Sequence, residues 1–175
     1  MDLPAELLPT GQMLVTLSDD KTVALPVCSP TFSKWKGALP AFSFGNKQFL
    51  DYEGMPVFAE IVVLNILLKN GWQGVWVETY GGIHFLCSQP QGSKLNSITI
   101  PKEKEDLLAR IWRATNNKGK GCFDIYAWKN HRVMFCETKL RGKDRLTTPQ
   151  IRFIDGALKN GIPKTSLLIA EWTTN

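Results

Sequence analysis

An acidic and a basic side chain stand two positions apart in the segment FCETKLRGKDRLTTPQ, residues 135–150. If residues 133–139 form a strand, successive side chains point to opposite faces, so Phe135, Glu137 and Lys139 lie in one row. An acid and a lysine in line with core residues cost stability unless they are paired, bind a metal or face a cleft. The pattern therefore predicts a functional site at the end of this strand.

A second acid, Asp124, falls in the preceding predicted strand, where aspartate is disfavoured unless it has a function. Carboxylates on adjacent strands are hard oxygen ligands, which select Mg²⁺ or Mn²⁺ over softer metals. The main-chain carbonyl of Thr138 would complete the ligands that Asp124 and Glu137 supply. A metal held there activates a water and polarises a phosphate, and Lys139 can orient that water or stabilise developing charge. The predicted chemistry is hydrolysis of a phosphodiester.

Two further polar residues stand near this pair, and each has a structural explanation as well as a functional one. Glu60 lies near the start of an apolar helix, where a buried acid needs a partner but an acid in the first turn also suits the helix dipole. Gln150 either belongs to the site or closes a capping box with Thr147. Glu78, at the end of the predicted strand VWVE, competes with Glu60 for the role of third acid, and we expect Glu60 to hold it.

Turn residues and hydrophobic periodicity predict the elements that position these residues. The segment PVFAEIVVLNILLKNGW is apolar on nearly every side and predicts a buried helix from Pro56 to about Gly71. GCFDIYAW and VMFCETK predict an antiparallel hairpin that turns at KNHR. A helix capped by Thr147 or Thr148 then runs to Gly161, and TSLLIAEW predicts a closing strand.

The rest of the chain predicts two less regular regions around this core. Residues 1–50 predict an irregular β-containing appendage, with a hairpin in MLVTLSDDKTVALPV, and residues 51–175 the main domain. Residues 80–118 predict an insertion that shapes substrate access. The segments GVWVETY and IHFLCS predict a hairpin at its start, and PKEKEDLLARIWRATNN predicts an amphipathic helix within it.

The segment GCFDIYAWKNHRVMFCETKLRGKDRLTTPQIRFIDGAL, residues 121–158, resembles the PD-(D/E)XK nuclease superfamily and in particular its VRR-NUC branch. The resemblance is good over residues 119–158 and looser over 56–172. It implies an α/β protein with a mixed sheet and a restriction-endonuclease-like core of order α-β-β-β-α-β. Phe123 departs from the family, which usually has proline there. The matching positions are Glu60 for the acid of the first helix, Asp124 and Glu137 for the metal ligands, Lys139 for the lysine and Gln150 for the glutamine.

Charge is distributed unevenly along the chain. Residues 1–100 contain 6 Lys and Arg against 8 Asp and Glu, a net of −2, whereas residues 101–175 contain 15 against 8, a net of +7. A basic half that carries the acidic motif suits a polyanionic partner, and DNA is the expected one ahead of RNA. The side chains expected to contact phosphates are Lys118, Lys120, Arg141, Lys143 and Arg145.

Several classes of protein are excluded by what the sequence lacks. No stretch approaches the roughly 18 consecutive apolar residues of a membrane span, and the first residues predict no secretory signal, so we expect a cytosolic protein without a membrane partner. The cysteines are widely spaced, so reduced thiols are expected rather than a zinc site. His84 and His131 are expected to be a strand residue and a hairpin-turn residue.

These features together predict a nuclease dependent on Mg²⁺ or Mn²⁺. The alternative is an inactive nucleic-acid-binding module of the same fold that acts as a subunit of a larger complex, and a third possibility is a scaffold in which the acids and lysine are coincidental. The intact set of two acids and a lysine favours the nuclease, because carboxylates repel phosphate when no metal is present. Whether a homodimer or a targeting subunit is needed, and whether ends or internal bonds are cut, is left open by the sequence.

Overall fold

The computed structural model describes residues 3–40, 47–90 and 95–175. Within these ranges the chain is mixed α/β, with three α-helices and ten strands in one mixed sheet. The helices are α1 (Ala59–Lys69), α2 (Lys102–Ala114) and α3 (Thr148–Lys159). The strands are β1 (Gly11–Thr16), β2 (Thr22–Cys28), β3 (Thr31–Lys34), β4 (Leu50–Tyr52), β5 (Met55–Val57), β6 (Gln73–Glu78), β7 (His84–Leu86), β8 (Ile125–Lys129), β9 (Arg132–Leu140) and β10 (Leu167–Thr174). No helix of the described part could cross a membrane.

The closing strand predicted from TSLLIAEW is β10, and it lies at the centre of the sheet. The strands follow the order β5-β4-β3-β10-β9-β8-β6-β7, and the β1–β2 hairpin joins through β2. β10 runs parallel to β9, β2 and β3, whereas the other pairs are antiparallel. The predicted hairpins β6–β7 and β8–β9 are both confirmed.

Helices cover both faces of this sheet, and the alternation of β9 shows why. Met134 and Cys136 pack on the face that α1 covers, whereas Phe135 packs on the other face against Phe153 of α3. The rings of Phe135 and Phe153 meet edge to face with their centroids 5.1 Å apart. α1 is buried along most of its length, as its almost wholly apolar sequence predicts.

The start predicted for α1 at Pro56 is wrong, because the helix begins at Ala59. Pro56 lies instead in β5, opposite Asp51 of β4. β5 is an edge strand of the sheet. An edge strand tolerates proline, which cannot donate a backbone hydrogen bond. The predicted end is confirmed, since Gly71 follows the helix with a φ of 76°.

The two helices on the other face pack closely against each other. α2 buries Leu108, Ile111 and Trp112, as its amphipathic pattern predicts. A Cβ atom at Gly156 of α3 would lie 2.3 Å from the carbonyl oxygen of Ile111, so only glycine allows this approach. α3 begins with the predicted capping box of Thr147 and Gln150. α3 is thereby fixed at its first turn and along its middle.

The stretch predicted as an appendage, residues 1–50, contributes strands to the same sheet. β1 and β2 form the expected hairpin, and both β2 and β3 pair with β10. The boundary predicted near residue 50 falls at β4, which pairs with β3 on one side and β5 on the other. The predicted insertion, residues 80–118, holds β7 and α2.

Candidate active site

Asp124 lies immediately before β8, not within the strand as predicted, and two neighbouring strands hold it. Its carbonyl oxygen accepts a hydrogen bond from the backbone N–H of Val77 at 2.7 Å. Its carboxylate Oδ2 accepts one from the backbone N–H of Thr138 at 2.8 Å and another from the Thr138 hydroxyl at 2.7 Å. The hairpin register pairs Ile125 with Cys136, which brings Asp124 beside the end of β9.

Glu137 is buried at 2% exposure and its carboxylate is the centre of a polar cluster. Its Oε1 lies 2.8 Å from Nζ of Lys139 and accepts a 2.5 Å hydrogen bond from Nε2 of Gln150. Its Oε2 accepts from the backbone N–H of Asp124 at 3.2 Å. The predicted row of Phe135, Glu137 and Lys139 therefore ends in a buried ion pair, which also contacts the first turn of α3.

Gln150 combines the two roles that the sequence left open. Its Oε1 accepts hydrogen bonds from the backbone N–H of Thr147 at 2.9 Å and from Nζ of Lys139 at 3.3 Å. Its Nε2 meanwhile reaches Glu137. The cap thus fixes the side chain that links α3 to the acid and the lysine of β9.

Glu60 is buried in the first turn of α1, the helix on the face of the sheet opposite to α3, and pairs with a lysine that the sequence pattern did not single out. Its Oε1 lies 2.5 Å from Nζ of Lys47. The ammonium of Lys47 also stands 5.0 Å from the centre of the Trp76 ring and 5.7 Å from that of Phe58. No periodic pattern or motif surrounds Lys47 in the sequence, so no local signal could have identified it.

Burial and a neighbouring acid raise the pKa values of Asp124 and Glu137. Burial, and next the charge of Glu60, raise the pKa of Asp124 to about 6, against the opposing hydrogen bonds from Thr138. Burial and then the charge of Asp124 raise the pKa of Glu137 well above its ordinary value, although Lys139 opposes the shift. Burial alone would lower the pKa of Lys47, but Glu60 and, more weakly, Asp124 raise it. Glu60 therefore belongs to the same electrostatic cluster as Asp124 and Glu137.

Glu78, the competing acid, is held differently. It is partly buried at the end of β6, and its Oε1 accepts a 2.7 Å hydrogen bond from the backbone N–H of Tyr80. This contact closes a local turn. Its charge acts on Lys47, but less strongly than the charges of Glu60 and Asp124 do.

A cleft of about 440 Å³ borders the acidic cluster. Glu60 and Thr138 line it together with Lys47 and Lys143. Lys143 is exposed, as are the other four basic residues that the sequence predicted for phosphate contacts, Lys118, Lys120, Arg141 and Arg145.

The glycine-rich loop that carries Lys118 and Lys120 packs against the first turn of α3. Nδ2 of Asn117 donates to the carbonyl oxygen of Pro149 at 2.9 Å. Gly121 has a φ of 66°, and a Cβ atom there would lie 2.2 Å from the carbonyl carbon of Pro149. Because Pro149 precedes Gln150, this contact holds the two lysines of the loop near the polar cluster.

The predicted metal ligands include few carboxylates that lie close together. Among the described residues, no group of three or more His, Cys, Asp and Glu side chains is arranged to hold a metal ion. Asp124 and Glu137 are joined by the hydrogen bond from the Asp124 N–H to Glu137, and Glu60 is the third acid of the cluster. The described part of the chain also contains four free cysteines, three of them buried, in line with reduced thiols. His84 lies in β7 and His131 in the β8–β9 turn, as predicted.

Comparisons of the chain with models of known protein families, with curated proteins and with solved structures find no match. The resemblance of residues 121–158 to PD-(D/E)XK nucleases therefore stays a prediction.

Proposed function

We propose that the protein is a metal-dependent nuclease that hydrolyses phosphodiester bonds in nucleic acid. The observation that carries this proposal is the meeting of Asp124 and Glu137 at one point, beside Lys139 and Gln150. The order α1, β6, β8, β9, α3 and β10 supports a restriction-endonuclease-like core, with β7 and α2 inserted between β6 and β8. The predicted cytoplasmic location is part of the same proposal.

The donor set fits Mg²⁺ or Mn²⁺. Asp124 and Glu137 offer carboxylate oxygens, the carbonyl of Thr138 a neutral oxygen, and Glu60 a third acid, directly or through a water. Because the pKa values of Asp124 and Glu137 are both raised, added positive charge from a bound cation would favour the state in which both are ionised. When bound, the cation supplies Lewis-acid activation of a phosphate and a water.

Lys139 has the contacts expected of a residue that orients water or stabilises charge on phosphate oxygens. The residue is buried at 8% exposure, and its ammonium is held between Glu137 and Gln150. Few rotamers satisfy both partners, so the charge stands in one place before substrate arrives. Preorganised charge of this kind is where enzymes gain most of their electrostatic stabilisation.

Nucleic acid is the proposed substrate because exposed basic residues flank the site. Lys118 and Lys120 lie on the loop beside α3, and Lys143 lines the cleft that borders Glu60 and Thr138. Phosphate contacts of this kind position a nucleic acid without reading its sequence. We propose DNA ahead of RNA, with a homodimer or a targeting subunit as further ways to set specificity.

A cleavage assay tests the proposal. The purified protein is incubated with linear duplex, branched and single-stranded DNA, and with RNA, in Mg²⁺, in Mn²⁺ and in EDTA. We expect at least one substrate to be cut with metal and none in EDTA. A protein that is inactive on every substrate with both metals contradicts the proposal.

An inactive nucleic-acid-binding module is the second candidate, and one observation favours it. Lysines already neutralise two of the acids, since Lys139 pairs with Glu137 and Lys47 with Glu60. Such a module binds nucleic acid equally well in EDTA and in Mg²⁺, and replacing Glu137 leaves its affinity unchanged. The nuclease instead binds more tightly with a divalent cation that neutralises the carboxylates facing the phosphates.

Glu60→Gln is expected to weaken Mn²⁺ binding and to slow cleavage by about tenfold or more, as is typical when a residue that supports a metal site is removed. The reason is that the charge of Glu60 is the strongest one acting on Asp124. Glu78→Gln is the matched control and should stay near wild type, since Glu78 closes a local turn at Tyr80. Calorimetric Mn²⁺ titration and cleavage rates of both variants measure this. The reverse ranking would remove Glu60 from the site.

Neutralising the basic residues around the site is expected to flatten the salt dependence of DNA binding. Removing one Lys or Arg that binds a phosphate should reduce the slope of log affinity against log salt by about 0.9 on duplex DNA. The variant replaces Lys118, Lys120, Lys143 and Arg145 with glutamine. The control replaces four exposed basic residues elsewhere on the surface, namely Lys21, Lys102, Arg132 and Lys164. Equal slopes in the two variants would place the binding face elsewhere.

A further inference from the structure

Lys47 places a positive charge inside the acidic cluster. Its side chain is 37% exposed, whereas that of its partner Glu60 is 9% exposed, so the ammonium reaches inward from the cleft to a buried acid. The rings of Trp76 and Phe58 lie beside the ammonium at 5.0 and 5.7 Å and favour a cation at this point. The two rings contact each other edge to face, which makes a fixed aromatic wall.

The ammonium of Lys47 lies where a metal cation bound to the acidic cluster would also be attracted. Its Nζ stands 2.5 Å from Oε1 of Glu60, so the ammonium already offsets the negative charge that this carboxylate would offer to a metal ion. Glu60 is in turn the acid whose charge acts most strongly on Asp124. A divalent ion near Asp124 would therefore repel Lys47 and draw on the same carboxylate.

We propose that Lys47 is an internal cation for the acidic cluster, and that it competes with a divalent metal ion for the negative charge of Glu60. This inference rests on the proposed function, since it assumes that the cluster takes a metal. Lys47 is then a residue that sets metal affinity without being a ligand. The apparent Kd for the metal equals the intrinsic Kd divided by the fraction of molecules in which Glu60 is free of Lys47.

The cleft gives the displaced ammonium a place to go. Lys47 lines the cleft of about 440 Å³ together with Lys143 and Thr138, so a short movement of its side chain leaves Glu60 and faces the space where a phosphate would lie. The long, flexible stem of lysine allows this without a backbone change. Displacement by metal thus leaves the charge in the part of the molecule that contacts substrate.

The test measures Mn²⁺ binding to the protein in the absence of nucleic acid. The electron paramagnetic resonance signal of free Mn²⁺ reports how much of the metal is unbound. Lys47→Met is expected to bind Mn²⁺ about tenfold more tightly than wild type, because the competing charge is gone. Lys47→Arg keeps the charge and should stay within about threefold of wild type. Lys69→Met is the matched control, since Lys69 also pairs with an acid, Glu53, and lies 5.0 Å from an aromatic ring, that of Tyr52. It removes the same net charge and should leave the affinity unchanged.

Thermal unfolding is a second measurement, which distinguishes a change in metal affinity from poor folding of the variant. In EDTA, Lys47→Met should lower the midpoint of thermal unfolding because Glu60 loses its partner, and saturating Mn²⁺ should remove that difference. Mn²⁺ affinity in Lys47→Met that equals or falls below wild type would overturn the inference while leaving the nuclease proposal intact. Absence of Mn²⁺ binding in wild type and in every variant would overturn both.

Discussion

Replacing Glu137 with glutamine is expected to lower the rate of nucleic-acid cleavage by about 10²-fold or more. The carboxylate is at the centre of the cluster, where it contacts Lys139, Gln150 and the backbone N–H of Asp124. Glutamine keeps the shape but removes the charge that would bind a metal. Initial rates at saturating Mg²⁺ on the best substrate of the panel measure the effect.

The matched variants for this prediction are chosen by position. Lys139→Met should lose as much activity as Glu137→Gln, because the ammonium would no longer stand between Glu137 and Gln150. Glu105→Gln on α2, where the side chain is partly exposed, should cut at the wild-type rate, since Glu105 only approaches Lys102 at 3.6 Å. Circular dichroism and thermal unfolding establish that the variants fold. Wild-type rates in both Glu137→Gln and Lys139→Met would show that this cluster does not carry the chemistry.

Local patterns predicted the part of the site that lies on neighbouring strands and the helix after them. The alternation of residues 133–139 places Phe135 in the core and Glu137 in line with it, and the turn at Asn130 and His131 fixes the hairpin register. Once that register is set, Asp124 has to lie opposite Glu137. The capping pattern of Thr147 and Gln150 likewise needs information from only four residues.

Contacts between distant parts of the chain could not be predicted in the same way. β2 pairs with β10 through Val27 and Ile169, which are separated by most of the sequence, so no local pattern indicates that β2 enters the sheet beside β10. Pro56 suits both the first turn of a helix and an edge strand, and its pairing with Asp51 decides between them. The role of Lys47 depends on its contact with Glu60, which the position of α1 creates.

Asp124→Asn is expected to stabilise the protein in EDTA at pH 7.5 and to abolish its response to Mg²⁺. Burial, and then the charge of Glu60, raise the pKa of Asp124 from 3.8 to about 6, so the ionised carboxylate is less stable in the folded protein than in the unfolded chain. Asparagine removes the charge and keeps a side-chain oxygen for the two hydrogen bonds from Thr138. The gain should be on the order of 3 kcal/mol in the free energy of unfolding.

The dependence on pH follows from the direction of the shift. Below pH 3.8 the carboxyl of Asp124 is protonated in both states and costs no stability. Between pH 3.8 and about 6 the unfolded chain ionises while the folded protein keeps its proton, so the free energy of unfolding of wild type falls as pH rises. Above that range the cost is constant. The advantage of Asp124→Asn should therefore be small near pH 4, grow up to pH 6 and stay level beyond it.

Urea unfolding from pH 4 to 8, in EDTA and in Mg²⁺, measures both parts of this prediction. Mg²⁺ should stabilise wild type, because it binds the ionised pair, and should leave Asp124→Asn unchanged. Asp106→Asn on the surface of α2 is the control, and its unfolding should follow wild type within about 0.5 kcal/mol at every pH. If Asp124→Asn is less stable than wild type in EDTA at pH 7.5, the hydrogen bonds from Thr138 to the ionised carboxylate outweigh its burial. The site would then be built to hold Asp124 charged by itself, and a metal ion would no longer be needed to explain the carboxylate.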